Sequence, residues 1–113
     1  MGSARAVTGV GPRFCFTFAG TGGSGVTNLS VDNHIGTVTA WRHPASAGMY
    51  GIQHDLGNTA YVVNANCERA TTTYGSVTIT HRGTTGCTFE VRDLGAGGID
   101  PSFVHCTIHD AGG

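Results

Sequence analysis

Glycine-rich breaks divide this chain into short segments in which apolar and polar residues alternate. Glycine supplies 19 of the 113 residues, and the segments recur roughly every ten residues. Thr, Val and Ile together number 31, against 3 Leu. Because β-branched side chains suit a pleated sheet and glycine suits tight turns, the chain is predicted to be all-β. Such close spacing leaves no room for the helical crossovers of a parallel sheet, so antiparallel strands are expected.

About eight short strands are predicted, and they are expected to form an antiparallel β-sandwich. The clearest alternation places Cys87, Phe89 and Val91 on one face of a strand whose other face is polar. The predicted strands cover residues 13–18, 29–31, 37–41, 49–54, 60–66, 76–81, 87–92 and 103–109. We expect a single domain over residues 13–113, preceded by a flexible segment over 1–12 that includes a cloning remnant.

The charge balance excludes two classes of partner. The chain has six arginines, no lysine and seven acidic residues, which gives a net charge of −1. A near-neutral surface gains little from counterion release or from anionic lipids, so neither nucleic-acid binding nor membrane anchoring is expected. No apolar run approaches the roughly 20 residues that span a bilayer, and the first residues show no secretory signal.

The small number of large aliphatic and aromatic residues limits the core. Leu, Ile, Val and Phe total 23 residues, which lies at the border of what a chain needs to bury a core by itself. An ordinary small β domain is one interpretation. The more specific interpretation is a domain that completes its buried surface by association with copies of itself.

The four cysteines do not have the spacing of a metal or redox motif. Cys15, Cys67, Cys87 and Cys106 form no CxxC pair, which argues against a zinc ribbon or a thioredoxin-like site. Two alternatives remain, a framework of disulfides and a set of free thiols. Free thiols are favoured because no secretory segment is visible.

Catalytic motifs are missing from the sequence, so an enzyme is not predicted and no cofactor is expected. The glycine-rich stretch over residues 20–25 lacks the lysine of a phosphate-binding loop and the pattern of a nucleophile elbow. No pair of acidic residues stands out as a hydrolytic pair. Asp93 and Asp100 have the surroundings of turn residues.

Six histidines are the one unusual enrichment. His54 shares an apolar face with Tyr50 and Ile52, so it is expected to be partly buried, with a lowered pKa. His105 and His109 share a strand face about 13 Å apart, too far to bind one metal within a single chain. A metal site from these two would need symmetry-related copies around a trimer axis, and the alternative is a hydrogen-bonding role at a surface or interface.

Trp41 is informative because of its position in the alternation. Val38 and Ala40 share one face of its strand, whereas Trp41 shares the polar face with Thr37 and Thr39. A lone Trp on such a face acts as an interface anchor or as a platform for a sugar ring. A third interpretation is a ring folded back over the edge of the sandwich.

The ordered set of motifs resembles the receptor-binding β-sandwich domain at the C-terminal end of phage and prophage tail-fibre proteins. The resemblance spans residues 13–109 and rests on five segments, 13–22, 48–54, 58–63, 84–93 and 100–108. The first, second, third and fifth are similar to the family's opening strand followed by Asn/Asp-Gly-Thr-Gly, its Gly-x-Tyr-x-Val-x-Phe strand, its Ala-Asn-Tyr-x-Val segment and its closing Asp-Pro/Ala-x-x-Val-x-Val strand. The fourth covers the seventh predicted strand. His54 stands where the family usually has Phe, and Cys15 where an aromatic is common.

The resemblance implies a homotrimeric module at the tip of a tail fibre, made in the cytoplasm of a bacterial host and carried on the virion. Its partners would be the rest of the fibre and a bacterial surface polysaccharide or lipopolysaccharide. Trp41, Arg42, His43 and Tyr74 are predicted to bind this glycan, because they are expected near exposed strand ends. Two alternatives stay open, a lectin similar to the H type and a structural cap that only trimerises the fibre.

Overall fold

Two antiparallel sheets form the fold in the computed structural model, which describes residues 11–20, 28–68, 75–93 and 97–110. The all-β prediction is confirmed, since the described part of the chain contains strands and no helix. The strands are β1 (Phe14–Ala19), β2 (Asn28–Leu29), β3 (Val31–Ile35), β4 (Thr39–Arg42), β5 (Met49–Gln53), β6 (Tyr61–Glu68), β7 (Gly75–Arg82), β8 (Gly86–Asp93), β9 (Gly97–Gly98) and β10 (Phe103–Asp110). Within those ranges, no helix is long and apolar enough to cross a membrane.

The strand order gives each sheet two open edges within the described residues. One sheet has four strands in the order β3-β1-β10-β6. The other has six, in the order β2-β4-β5-β8-β7, with the short β9 paired to β8. The edges of the smaller sheet are therefore β3 and β6, and those of the larger sheet are β2 and β7.

The core lies between the two sheets and is built from the alternate residues that the sequence predicts. Phe18, on β1 of the smaller sheet, packs with its ring centroid 5.6 Å from that of Tyr50 and 6.2 Å from that of Phe89 on the larger sheet. All three side chains are almost fully buried. The other buried apolar residues are Phe14, Phe16, Val38, Ala40, Ile52, Tyr61, Cys87, Val91, Val104, Cys106 and Ile108. A sandwich-like arrangement follows from this inward alternation.

The predicted segment at 29–31 differs most from the structure. The chain crosses from the larger sheet to the smaller one at Ser30, so that β2 and β3 belong to different sheets. The sequence did not predict β3, because Asp32, Asn33 and His34 are exposed at a sheet edge and show no apolar alternation. Asn33 instead uses its side-chain amide to bond the backbone N–H and C=O of Val38.

Cys15, Cys87 and Cys106 are free thiols, as favoured from the sequence. Because these three of the four cysteines are free, the alternative prediction of a disulfide framework is wrong. Cys87 and Cys106 are buried in the core. Burial raises the pKa of the Cys87 thiol to about 12 and also raises that of Cys106, so both behave as small apolar side chains.

Candidate functional site

Trp41 lies on the outer face of the six-stranded sheet and is 39% exposed. Its cross-strand neighbour on β5 is Gly51. The indole ring lies directly over this glycine, since a Cβ atom at position 51 would be 2.1 Å from Cζ2 of Trp41. A glycine in the middle of a strand usually weakens it. Here it gives the ring room to rest on the sheet, with part of its surface open to solvent.

Hydrogen-bonding side chains continue from Trp41 across the same face of the sheet. Gly51 pairs with Thr88 on β8, and Thr88 pairs with His81 on β7. The hydroxyls of Thr88 and Thr80 share a hydrogen bond of 2.6 Å. The result is a row with an aromatic ring at one end and hydroxyl and imidazole groups at the other.

A shallow cavity of about 260 Å³ opens beside the Trp41 ring. Gln53, His81, Thr85 and Thr88 contribute polar groups to its lining. The side-chain amide nitrogen of Gln53 donates to Asp55, 3.0 Å from Oδ1, which leaves the amide oxygen of Gln53 available as an acceptor. The cavity is smaller than the roughly 300 Å³ at which pockets for drug-sized ligands begin, and this suits a single sugar ring.

From the sequence, Arg42 was expected at an exposed strand end. In the structure it is buried, with 8% exposure. Its side chain alternates with Trp41 on β4 and therefore points between the sheets. There Nε and Nη2 donate to the carboxylate of Asp100 at 3.0 and 2.8 Å, and Nη1 donates to the carbonyl of His43. This bidentate pair occupies the guanidinium in the interior, away from the face that carries Trp41.

Asp100 is the centre of a buried network rather than a turn residue. Besides Arg42, it accepts bonds from the amide of Gly48 at 3.0 Å and the hydroxyl of Tyr50 at 2.6 Å. Burial alone would raise the pKa of Asp100, but the bonds from Arg42, Tyr50 and Gly48 outweigh it and lower that pKa. Burial, with the neighbouring carboxylate, strongly raises the pKa of Tyr50. The network fixes the β4–β5 connection to the segment before β10.

The other two predicted binding residues have different outcomes. His43 is exposed in the connection after β4, where its Nδ1 accepts a bond from the amide of Ala45 at 3.1 Å. His43 is not among the residues that line the cavity beside Trp41. Tyr74 lies outside the described residues.

His54 occupies the inward face that the sequence predicts and is 6% exposed. Its Nδ1 accepts a bond from the amide of Leu56 at 3.0 Å, and its Nε2 is buried without a partner among the described residues. The rings of Phe14 and Tyr61 pack against it at 6.0 and 4.8 Å. Burial lowers the pKa of His54, so the imidazole is neutral near pH 7.

His105 and His109 share the outer face of the four-stranded sheet, as their spacing predicts. Nδ1 of His105 lies 2.8 Å from the hydroxyl of Thr17, and its Nε2 bonds the carboxylate of Glu68. The described residues contain no group of three potential metal ligands. The sequence favours a hydrogen-bonding role over a metal site on a trimer axis, and His105 has the surroundings of that hydrogen-bonding role.

Comparison with protein-family models, curated protein sequences and solved structures finds no match for this chain. The candidate site therefore rests on its own geometry. The sequence analysis predicted neither the polar lining of the cavity nor the roles of Gly51 and Asp100; the unpredicted lining residues are Gln53, His81, Thr85 and Thr88. For Gly51 and Asp100, the only signals were a glycine directly after Tyr50 in a predicted strand and an Asp directly before Pro101.

Proposed function

We propose that this protein is a receptor-binding module of the kind found at the tips of phage tail fibres. It associates as a homotrimer and binds a bacterial surface polysaccharide or lipopolysaccharide. The site is the outer face of the six-stranded sheet around Trp41. The single observation that carries the proposal is the partly exposed indole ring seated over Gly51 beside polar side chains.

The chemistry of this face suits a carbohydrate. A sugar ring has an apolar face of C–H groups and a rim of hydroxyls. The Trp41 ring offers a surface for the C–H groups, while Thr88, His81 and the amide oxygen of Gln53 can exchange hydrogen bonds with the rim. The cavity between them is lined by no Asp, Glu or Arg, so a neutral sugar is the ligand we expect.

Two further features support a multivalent module. The sequence resembles tail-fibre sandwiches over residues 13–109, and its small apolar content favours a domain that shares buried surface with copies of itself. A shallow site binds one sugar weakly. Three sites held together raise the apparent affinity for a repeating polysaccharide by roughly 10² to 10⁴.

Intrinsic fluorescence tests the proposal directly, because Trp41 is the only tryptophan of the chain. The protein is titrated with purified capsular polysaccharides and lipopolysaccharides from a panel of bacteria. We expect at least one to shift the Trp41 emission in a saturable way. Trp41→Ala should weaken binding to that glycan, measured by calorimetry, by at least about tenfold.

Gly51→Ala is the more specific test of the ring's position, because it keeps the tryptophan but forces its ring off the strand. It should weaken binding as Trp41→Ala does, whereas Thr39→Ala, on the same exposed face of β4, should leave binding almost unchanged. A glycan that binds equally well to wild type, Trp41→Ala and Gly51→Ala would contradict this site. The absence of binding across the whole panel by wild-type trimer would leave the structural cap as the better interpretation.

A further inference from the structure

The two edges of the four-stranded sheet are open within the described residues, and they are complementary to each other. We propose that the β6 edge of one copy receives the β3 edge of a second copy, with Arg82 of the first facing Asp32 of the second. The inference deepens the proposed function, on whose self-association it rests, by naming the surfaces that meet. Unpaired strand edges carry rows of free N–H and C=O groups that readily pair with another chain.

Charge is the first observation that favours this pairing. Three of the four arginines that the structure describes bind a carboxylate; these pairs are Arg13–Asp110, Arg42–Asp100 and Arg92–Glu90. Arg82 instead donates Nη1 to the carbonyls of Thr59 and Tyr61, at the start of β6. Its positive charge is therefore not neutralised by a carboxylate in the described part of the chain, and Nε and Nη2 remain available.

The β3 edge carries a negative charge, that of Asp32. The Asp32 side chain is 78% exposed on β3. Its nearest basic partner among the described residues is His34, at 3.9 Å, which is the long limit of an ion pair. Asp32 is on the β3 edge strand, whereas Arg82, the last residue of β7, is bonded to the start of β6 at the opposite edge of the four-stranded sheet. These opposite charges favour a head-to-tail contact between copies and disfavour like-with-like pairing.

Apolar surface lies at both edges as well. Val62 on β6 is 49% exposed, and Ile35 on β3 is 44% exposed. A groove of about 500 Å³ runs between β6 and β7, and its walls include Val62, Val63 and Ile79.

The unpaired N–H and C=O groups of the two edge strands favour another strand, rather than a lipid or a sugar, as the partner of these edges. A lipid chain or a sugar in the groove would leave amide and carbonyl groups of β6 without regular partners, at a cost in desolvation. A strand satisfies them in a ladder. A contact between two different edges is heterologous, so repetition around an axis can close a ring of copies in which every edge is covered.

Charge reversal tests the contact in the full-length chain by sedimentation velocity at micromolar concentration. Asp32→Arg and Arg82→Asp should each weaken association by at least about tenfold, since each places like charges opposite one another. The double variant should restore association toward the wild-type level. Arg92→Glu on the outer face of β8 makes the same change in net charge as reversal at Arg82, and it should leave association unchanged.

Asp32 is exposed, so Asp32→Arg keeps the test valid even if Arg82→Asp impairs folding through its contacts with Thr59 and Tyr61. If wild type assembles but the reversals behave like Arg92→Glu, the inference is overturned while the glycan proposal stands. If the wild-type chain is a monomer, both this contact and the proposed homotrimer are overturned. Glycan binding at Trp41 is then measured separately on that monomer.

Discussion

Replacement of Asp100 by alanine would leave a buried positive charge without its partner. The Arg42 side chain is only 9% exposed and donates two hydrogen bonds to the Asp100 carboxylate. In Asp100→Ala the guanidinium keeps only its bond to the carbonyl of His43. The amide of Gly48 loses its acceptor in the same step, whereas the hydroxyl of Tyr50 keeps the carbonyl of Gly20.

The size of the effect follows from burial. Removal of one partner of a buried ion pair costs about 3 to 5 kcal/mol of unfolding free energy. Asp100 is itself 26% exposed, so water can enter part of the vacated space, and the lower end, about 3 kcal/mol, is expected. For a domain of this length, that loss lowers the Tm by roughly 12 °C.

Urea unfolding followed by circular dichroism at pH 7 measures this loss. The matched control is Asp110→Ala, which removes the carboxylate of the exposed pair with Arg13, whose side chains are 57% and 46% exposed. Exposed pairs contribute about 0 to 1 kcal/mol, so the control should change little. Arg42→Met combined with Asp100→Ala should be more stable than Asp100→Ala alone, because no charge is left buried.

The same pair has a defined pH dependence. The folded pKa of Asp100 lies below its ordinary value of 3.8. Its contribution to stability is therefore fully present above that value and is lost as pH falls through the folded pKa. The difference between wild type and Asp100→Ala should shrink under strongly acidic conditions. Equal losses for Asp100→Ala and Asp110→Ala at pH 7 would refute the reasoning, because the two pairs would then be equally solvated.

Two further predictions concern buried groups. Burial lowers the pKa of His54, so protonation of His54 favours the unfolded state. The free energy of unfolding should therefore be highest above the ordinary pKa of 6.5 and should fall as the pH drops below it. Urea unfolding between pH 5 and pH 8 should show this slope in wild type and lose most of it in His54→Leu, and an unchanged slope would contradict the assignment. Among the described cysteines, Cys15 is half-buried whereas Cys87 and Cys106 are buried with raised pKa values. A thiol reagent followed by mass spectrometry should thus label Cys15 in the folded protein and reach the other two only on unfolding; fast labelling of Cys87 would show that the core is open.

Local alternation was enough to predict most strands and their inward faces. Phe14 and Phe18 on β1, or Cys87 and Val91 on β8, are separated by even numbers of residues, so any extended chain places them on one side. The apolar character of that side then decides which face is buried. His54 was predicted in the same way, from its phase with Tyr50.

The strand β3 could not be predicted in this way, because an edge strand in contact with solvent does not need apolar alternation. Asp32 and His34 are polar, and their segment is extended because it pairs with β1. Alternation along the strand was also not enough to predict that Arg42 is buried. Its inward position is predictable from Ala40, but a charged residue is usually exposed unless a partner is available.

The sequence by itself determined that this chain forms antiparallel strands, which residues enter the core and that Trp41 faces outward, because each of these follows from spacing within one strand. The tertiary structure alone decided that Asp100 neutralises Arg42 from 58 positions away, and that Gly51 lies beneath the Trp41 ring. Such relations depend on which strands become neighbours and in what register. Those choices are made by the packing of the two sheets as a whole and are not encoded in any short stretch of residues.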